Sequence, residues 1–169
     1  MRNALYIQSG GPTAVINCSA AGVIRECQEL LEKGGKLYAS LHGIDGLLHD
    51  HLYDCTDMDE MQLLRLRNTP SMAFGSCRYT VREDTTEDYD RILATLKKYQ
   101  IYYIFINGGN GSVDAGLRLC EHLKKAGYPC CLMVIPKTVD NDIAIVDHAP
   151  GFPSAARHTV ITISELVHD

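Results

Sequence analysis

The chain has 169 residues, a net charge of −5, 46% hydrophobic residues and 22% charged residues. A chain of this length can bury the core of one domain, and its composition is typical of globular proteins. The negative charge argues against a nucleic-acid partner, because a basic surface patch is missing. No apolar run is long enough to cross a membrane, and the N-terminus lacks a basic segment followed by a long apolar region. We therefore expect a cytoplasmic protein with no membrane partner.

The seven cysteines are scattered without CxxC spacing. This pattern predicts reduced and mostly buried thiols. The acidic net charge also means that any attraction for phosphate must be local, from particular Arg and Lys side chains, helix N-termini or a metal ion.

Strand and helix patterns alternate along the chain, which predicts an α/β fold with a doubly wound, mostly parallel sheet and helices on both faces. The strand near position 101 is apolar on both faces, as a central strand should be. The run Cys131–Ile135 predicts a buried strand. In chain order we predict a strand over 3–8, a helix over 13–33, a strand over 36–41, a glycine-punctuated turn over 42–48, a helix over 57–68, an irregular segment over 69–82, a helix over 87–99, a strand over 101–106, a helix over 113–125, a strand over 130–135 and a helix from 151 onward.

Two glycine-rich turns each lie between a predicted strand and a predicted helix. The first is Ser9-Gly10-Gly11-Pro12-Thr13, and the second is Asn107-Gly108-Gly109-Asn110-Gly111-Ser112. Glycines let the backbone approach an anion, and a helix N-terminus presents free N–H groups to it. A plain tight turn explains the first glycine pair better than a phosphate site does, and the richer second loop is the better anion site.

Two other polar stretches are candidates for phosphate chemistry. Lys137, Thr138, Asp140 and Asp142 follow a predicted strand and supply an ammonium, a hydroxyl and two carboxylates. Phosphoryl transfer to an alcohol uses such a set, because a carboxylate takes the hydroxyl proton while cations neutralise the moving phosphate. A turn closed by Asp and Asn side chains is the alternative. Arg78 ends a loop of small residues and could bind phosphate through two hydrogen bonds, although spacing alone favours a solvated surface arginine.

Taken together, these motifs resemble the phosphofructokinase family over essentially the whole chain and in the right order. The TxDND pattern with GGxGS some two dozen residues before it is highly specific. Three stretches resemble the family's phosphate-site loops: Ser9-Gly10-Gly11 resembles the first phosphate loop, Gly108–Ser112 resembles the GGDGS loop, and Pro136–Asp142 resembles the PKTIDND or PGTIDND loop. Three more resemble other family motifs: His42–Leu47 resembles the HGxxGL stretch, Gly75–Arg78 resembles the GSxR stretch, and Pro150–Phe152 with Ala155-Ala156 resembles the GF-and-helix segment.

The resemblance implies a magnesium-dependent transfer of a phosphoryl group to the 1-hydroxyl of fructose 6-phosphate, a step of glycolysis that gives fructose 1,6-bisphosphate. It implies that Asp140 is the base that takes the hydroxyl proton and that Lys137 stabilises the leaving phosphate. The implied substrate-binding residues are Thr138, Val139, Asp140 and Asp142; the donor-binding residues are Gly10, Gly11, Arg78, Tyr79, Gly109, Asn110, Gly111 and Ser112; the Mg²⁺ ligands are Asn110 and Asp142.

Two positions bear on the metal and the donor. Asn110 stands where the common family loop has a magnesium-associated aspartate, so the affinity for Mg²⁺ should fall unless Asp142 or the phosphates compensate. Gly111 leaves space where pyrophosphate-using relatives often carry an aspartate that blocks ATP. Lys137, in contrast, resembles the lysine of those same relatives. We favour ATP as the donor, with pyrophosphate as the alternative.

Other functions and the extent of the chain remain open. An NAD or lipid kinase shares a GGDG-type loop but not the TxDND loop, and a non-catalytic phosphometabolite-binding subunit is suggested by Asn110 alone. The last helix ends without a cap or a following strand. We therefore expect residues 1–169 to be one donor-binding domain truncated at its C-terminal end. We expect this fragment alone to be inactive, and the whole protein to be a homo-oligomer.

Overall fold

Helices and strands alternate along the chain in the computed structural model, which describes residues 2–31, 34–79, 81 and 85–168. The elements in chain order are β1 (Asn3–Gln8), α1 (Ile16–Leu30), β2 (Leu37–Ser40), α2 (Ile44–Leu48), β3 (Leu52–Asp54), α3 (Glu60–Asn68), α4 (Thr86–Lys98), β4 (Ile101–Gly108), α5 (Asn110–Lys125), β5 (Cys131–Pro136) and α6 (Phe152–His168).

Within the described residues, the five strands form one sheet in the order β3-β2-β1-β4-β5. The pairs β1–β2, β1–β4 and β4–β5 are parallel, and only β2–β3 is antiparallel. The chain continues from β1 to β2 and β3 on one side of β1, and later places β4 and β5 on the opposite side of β1. The winding direction therefore reverses between β1 and β4. The predicted doubly wound, mostly parallel sheet is confirmed.

Helices cover both faces of the sheet, and the side chains of β1 pack against both helix layers. Ala4 and Tyr6 join a core with α1 and α3 on one face, while Leu5 and Ile7 join a core with α2, α4 and α5 on the other. Successive side chains of a strand point to opposite faces, so a strand with a helix layer on each side is apolar throughout. These four side chains are at most 2% exposed. Their burial on both faces anchors β1, the strand that leads into the first glycine turn.

Several element predictions need correction. The run Cys131–Ile135 is not a buried strand, because β5 lies at an edge of the sheet and Met133 is 48% exposed. The expected turn over 42–48 contains α2, and β3 was missed because it is only three residues long. Helix α5 begins at Asn110 rather than 113, while α1 begins at Ile16 rather than 13; the predicted end of α1 at 33 lies outside the described residues.

The cysteines and α6 complete the description. All seven cysteines are free, as predicted, but the expectation of mostly buried thiols is wrong, because only Cys27 and Cys55 are buried and Cys18 and Cys131 are exposed. Helix α6 follows Gly151 as predicted and has no buried residue. Among the described residues, no helix combines the length and the apolar character needed to cross a membrane.

Candidate active site

A cleft of about 940 Å³ lies at the carboxyl ends of the neighbouring strands β1, β4 and β5. Open α/β sheets bind ligands at this edge, where the winding direction reverses. Every residue predicted from the sequence to bind substrate, donor or metal lines this one cleft: Gly10, Gly11, Arg78, Tyr79, Gly109, Asn110, Gly111, Ser112, Lys137, Thr138, Val139, Asp140 and Asp142.

The first wall of the cleft is the glycine turn after β1. The backbone N–H of Ser9 donates to the carbonyl of Asn107 at 2.9 Å, so the turn leaves the sheet beside β4. Gly10 has φ +79, in the left-handed region, and a Cβ there would lie 3.3 Å from the Lys137 ammonium. Glycine is therefore favoured at this position both by the backbone conformation and by the close approach of a cation.

The second wall is the start of α5. Asn110, Gly111 and Ser112 belong to the first turn of this helix. The N–H of Ser112 donates to the Gly109 carbonyl at 2.9 Å, so Asn110 and Gly111 carry the N–H groups that a helix N-terminus offers to an anion. The Ser112 hydroxyl donates to the Ser9 hydroxyl at 2.8 Å and links this turn to the first. A Cβ on Gly111 would meet nothing within 4 Å, so the predicted open space beside this residue is present.

Lys137 connects the third loop to the other two. Its backbone N–H donates to the Gly108 carbonyl at 3.0 Å, and its ammonium donates to the Gly11 carbonyl at 2.6 Å. The side chain is only 3% exposed. Desolvation lowers the pKa of this ammonium, and the negative charge of Asp140 opposes that shift. One residue thus ties three loops together and holds a buried cation at their junction.

The loop that follows is closed by Asn141 rather than by the aspartates. Asn141 has φ +53, its amide donates to the Asp147 carbonyl at 3.1 Å, and its side-chain oxygen accepts from the Ala149 N–H at 2.8 Å. This is the turn-closing role that the alternative interpretation assigned to the whole cluster. The carboxylates of Asp140 and Asp142 are exposed in the cleft.

Thr138 fixes the start of that loop. It is 7% exposed, its hydroxyl accepts from the Asp140 N–H at 3.0 Å, and its own N–H donates to the Pro150 carbonyl at 3.0 Å. Val139, between Thr138 and Asp140 in the chain, is 44% exposed and lines the cleft. The candidate base is therefore held by a buried threonine two residues before it.

Asn110 and Asp142, the predicted Mg²⁺ ligands, are joined by hydrogen bonds. The Asn110 amide donates to the Asp142 carboxylate at 2.9 Å and to its carbonyl at 3.1 Å. No cluster of three or more His, Cys, Asp or Glu side chains suited to a metal occurs within the described residues. Mg²⁺ commonly takes one or two carboxylates and completes its shell with phosphate and water oxygens, so this pair fits a Mg²⁺ that arrives with a phosphate donor.

The loop that carries Arg78 also reaches the cleft. The Ser76 hydroxyl donates to the Gly10 carbonyl at 2.9 Å, and the exposed Arg78 lines the cleft. The Tyr79 hydroxyl donates to the Asp88 carboxylate, so its ring is fixed at the rim of the cleft. Arg78 is therefore an exposed arginine, as its spacing suggested, and it lies at the candidate site.

Sequence reasoning missed further residues that line the cleft. Asp114 and Arg118 lie one and two turns along α5 from Gly111, and the spacing of three and four residues is the signal that could have found them. Thr13 is 8% exposed, and its hydroxyl has no hydrogen-bond partner in the described part of the chain. The cations that line the cleft are Arg78, Arg118 and Lys137, and the carboxylates are Asp114, Asp140 and Asp142.

The same arrangement of loops occurs in known proteins. The sequence profile described as Phosphofructokinase matches residues 3–169. The chain belongs to the phosphofructokinase family. The pyrophosphate–fructose 6-phosphate 1-phosphotransferase of Halomonas elongata is 42% identical over 169 residues, which are 99% of this chain and 40% of that protein. The ATP-dependent 6-phosphofructokinase of Haemophilus ducreyi is 29% identical over 160 residues, which are 95% of this chain and 46% of that protein.

The fold is that of phosphofructokinases as well. The crystal structure of the pyrophosphate-dependent phosphofructokinase from Nitrosospira multiformis superimposes with a TM-score of 0.91 at 42% identity, covering 98% of this chain and 41% of that one. The resemblance drawn from the motifs is thus confirmed. The chain spans about 40% of the length of the curated phosphotransferases that it matches.

Proposed function

We propose that the protein, in its full natural length, transfers a phosphoryl group from pyrophosphate to the 1-hydroxyl of fructose 6-phosphate. The observation that carries this proposal is the meeting of two glycine-rich turns, a buried ammonium and two exposed carboxylates in one cleft. Phosphoryl transfer depends mainly on positioning and on charge stabilisation, and this set supplies both.

In this proposal Asp140 is the base. It accepts the proton of the sugar 1-hydroxyl while the hydroxyl oxygen forms a bond to the transferred phosphorus and the bond to the leaving phosphate breaks. Its exposed carboxylate suits that task, since a base must come within hydrogen-bond reach of the hydroxyl. Thr138, Val139 and Asp142 lie beside it and would contact the sugar phosphate.

Lys137 and the first turn of α5 act on the donor in this proposal. The Lys137 ammonium lies between the glycine turn and the base and would neutralise the charge that grows on the leaving phosphate. The N–H groups of Asn110 and Gly111 would bind phosphate oxygens, and Arg78 would bind from the opposite rim. Asn110 and Asp142 would hold Mg²⁺, which supplies electrostatic stabilisation of the phosphate charge when bound.

The sequence alone favoured ATP as the donor. We now prefer pyrophosphate, because the relatives named for pyrophosphate are more similar to the chain. Proteins named for pyrophosphate are 39–42% identical to the chain, whereas relatives named for ATP are 29–30% identical. ATP is the second candidate because of one structural feature: the space beside Gly111 is open to a longer polyphosphate.

The test is the rate of fructose 1,6-bisphosphate formation with Mg²⁺ and either donor, for the wild type and for Asp140→Asn. The matched control is Asp147→Asn, an exposed aspartate of the same loop that does not line the cleft. We expect a higher kcat/KM with pyrophosphate, a loss of about 10²-fold or more in Asp140→Asn, and no change in the control. Binding of pyrophosphate without turnover by the wild type would instead favour a non-catalytic subunit.

The extent of the functional unit is a separate part of the proposal. We propose that residues 1–169 provide the donor site and the base, and that the remaining sugar-phosphate contacts come from elsewhere in a larger protein, because the chain covers 40% of the matched phosphotransferases. We propose that this larger protein is a homo-oligomer. The isolated chain should then bind pyrophosphate but form no fructose 1,6-bisphosphate. Turnover by the isolated chain at the rate of the full-length protein would contradict this proposal.

A further inference from the structure

The segment from Thr69 to Tyr79, called the 69–79 segment below, contains no helix or strand. It nevertheless carries Ser76 and Arg78 to the donor side of the cleft. Its Ser71 has φ +64, a left-handed conformation that is uncommon without glycine. A segment of this kind has no backbone ladder to hold it, so other contacts must set its position.

Asn17 of α1 supplies most of those contacts. Its side-chain amide donates to the Thr69 carbonyl at 2.8 Å and to the Ser71 carbonyl at 3.0 Å, and its side-chain oxygen accepts from the Ala73 N–H at 3.0 Å. The residue is only 2% exposed. A buried amide that bonds three backbone groups of an irregular segment acts as a clamp on that segment.

Gln8, the last residue of β1, completes the clamp. It is fully buried, its side-chain oxygen accepts from the Phe74 N–H at 3.1 Å, and its amide donates to the Asn17 side-chain oxygen at 2.9 Å. The central strand of the sheet and the first helix are thereby joined to the segment through a single pair of side chains. Leaving any of these buried groups unpaired would cost free energy, so the pair specifies one arrangement of the segment.

The clamped part continues directly to the cleft. The Phe74 carbonyl accepts from the His42 N–H at 2.7 Å, and Gly75 has φ +72 with no room for a Cβ, which would lie 2.5 Å from the His42 ring. The next residue, Ser76, bonds the Gly10 carbonyl, and Arg78 follows two positions later. The chain has little freedom between the clamp and the arginine.

We propose that Gln8 and Asn17 are positioning residues for the donor site, which hold the 69–79 segment so that Arg78 meets the phosphate donor. The proposal rests on the proposed function, in which Arg78 contacts the donor. Neither amide touches the donor itself; each acts through the segment. A purely structural role would lower the stability of the fold without a specific loss of donor affinity.

The test uses the full-length protein and the variants Asn17→Ala, Arg78→Ala and their combination. Kd for pyrophosphate with Mg²⁺ is measured by calorimetry, alongside kcat and KM. Loss or misplacement of a charged hydrogen-bond donor at the phosphate should weaken pyrophosphate binding by about 10-fold or more in each single variant. The combined variant should lose little beyond the larger single loss, because both changes remove the same contact. Multiplied losses, or unchanged pyrophosphate affinity in Asn17→Ala, would overturn the proposal.

The matched control is Asn68→Ala, because Asn68 borders the same segment but its amide bonds the Leu64 carbonyl of its own helix. It should change neither Kd nor KM. The two proposals can fail separately. If the wild type shows no turnover but Asn17→Ala still loses pyrophosphate affinity, the proposed reaction fails and the positioning role stands. If the wild type turns over and Arg78→Ala binds pyrophosphate normally, the positioning role fails.

Hydrogen exchange provides a test that does not depend on the folding of Asn17→Ala. In the wild type the N–H groups of Ala73 and Phe74 should exchange slowly although they belong to no helix or strand. Gln8→Met, which keeps a similar shape and removes one side of the clamp, should accelerate exchange in the 69–79 segment and weaken pyrophosphate binding together. Fast exchange at these two amides in the wild type would overturn the proposal.

Discussion

Replacing Lys137 by methionine would remove both the hydrogen bond that joins two loops and the cation, and the free energy of unfolding and kcat would report the two losses separately. Methionine has a similar length and no charge, so it fits the buried space that the Lys137 side chain occupies. It cannot donate to the Gly11 carbonyl, to which the ammonium donates at 2.6 Å. A hydrogen bond from a charged group contributes about 1.5–3 kcal/mol. Burial of the ammonium, which is 3% exposed, opposes that gain. We expect the free energy of unfolding to change by no more than about 2 kcal/mol, because the two effects have opposite signs.

The effect on catalysis should be larger. The loss of one preorganised donor of positive charge at a reacting oxygen costs about 10²–10³-fold in kcat, or about 2.7–4 kcal/mol. Lys137→Met should therefore fold almost normally and lose that factor. Lys36→Met is the matched control, because Lys36 is an exposed lysine whose ammonium pairs with Asp54 at 2.9 Å, away from the cleft. The measurements are kcat with the preferred donor and denaturant unfolding. A Lys137→Met variant whose kcat stays within about three-fold of the wild type would refute the catalytic role.

The pKa of Lys137 gives a second signature of the same prediction. Desolvation lowers this pKa below its ordinary value of 10.5. Between the lowered pKa and the ordinary one, the unfolded chain binds one more proton than the folded protein, so stability should rise with pH across that window. The catalytic role requires the ammonium, so kcat/KM should fall as the pH rises through the lowered pKa. Both dependences should be absent from Lys137→Met.

Three further changes test the cleft. Gly111→Asp has room for its Cβ and should abolish use of ATP while sparing pyrophosphate, as judged by the ratio of kcat/KM values; retained ATP turnover would contradict this. Asn110→Asp replaces an amide that bonds Asp142 at 2.9 Å by a second carboxylate, so it should lower both the melting temperature without metal and the Mg²⁺ concentration at half-maximal rate. Gly151→Ala would place a Cβ 2.8 Å from Thr13 at φ +110, and denaturant unfolding should show a loss of about 1–3 kcal/mol.

The parts of the fold that could be predicted are those with strong local signals. The apolar runs of β1 and β4, each followed by glycines and an amphipathic helix, identify two strand-turn-helix units without reference to the rest of the chain. The position of β5 at the sheet edge could not be predicted, because a short apolar run looks the same on an edge as in the interior. The three residues of β3 gave too little pattern to be recognised.

The cleft could be predicted as a set of loops but not as a set of contacts. The motif residues were found because each loop follows a strand, and parallel strands end at one edge of the sheet. The contribution of Asn17 was hidden, because the side chain bonds backbone groups 52–56 residues away. Asp114 and Arg118 look like ordinary charges on an exposed helix face, and only the direction of α5 brings them to the cleft.

The order of the loops in the fold explains how the candidate base is placed. The winding of the sheet reverses between β1 and β4, so the turns that follow these strands lie side by side at one edge of the sheet. Lys137, 126 residues after Gly11 in the chain, bonds the first turn with its side chain and the end of β4 with its backbone. Asp140 follows three residues later on a loop held by Thr138 and Asn141. The candidate base therefore lies on the loop that begins at the residue joining the two glycine turns, and in the proposed reaction a donor phosphate bound at those turns would lie near Asp140.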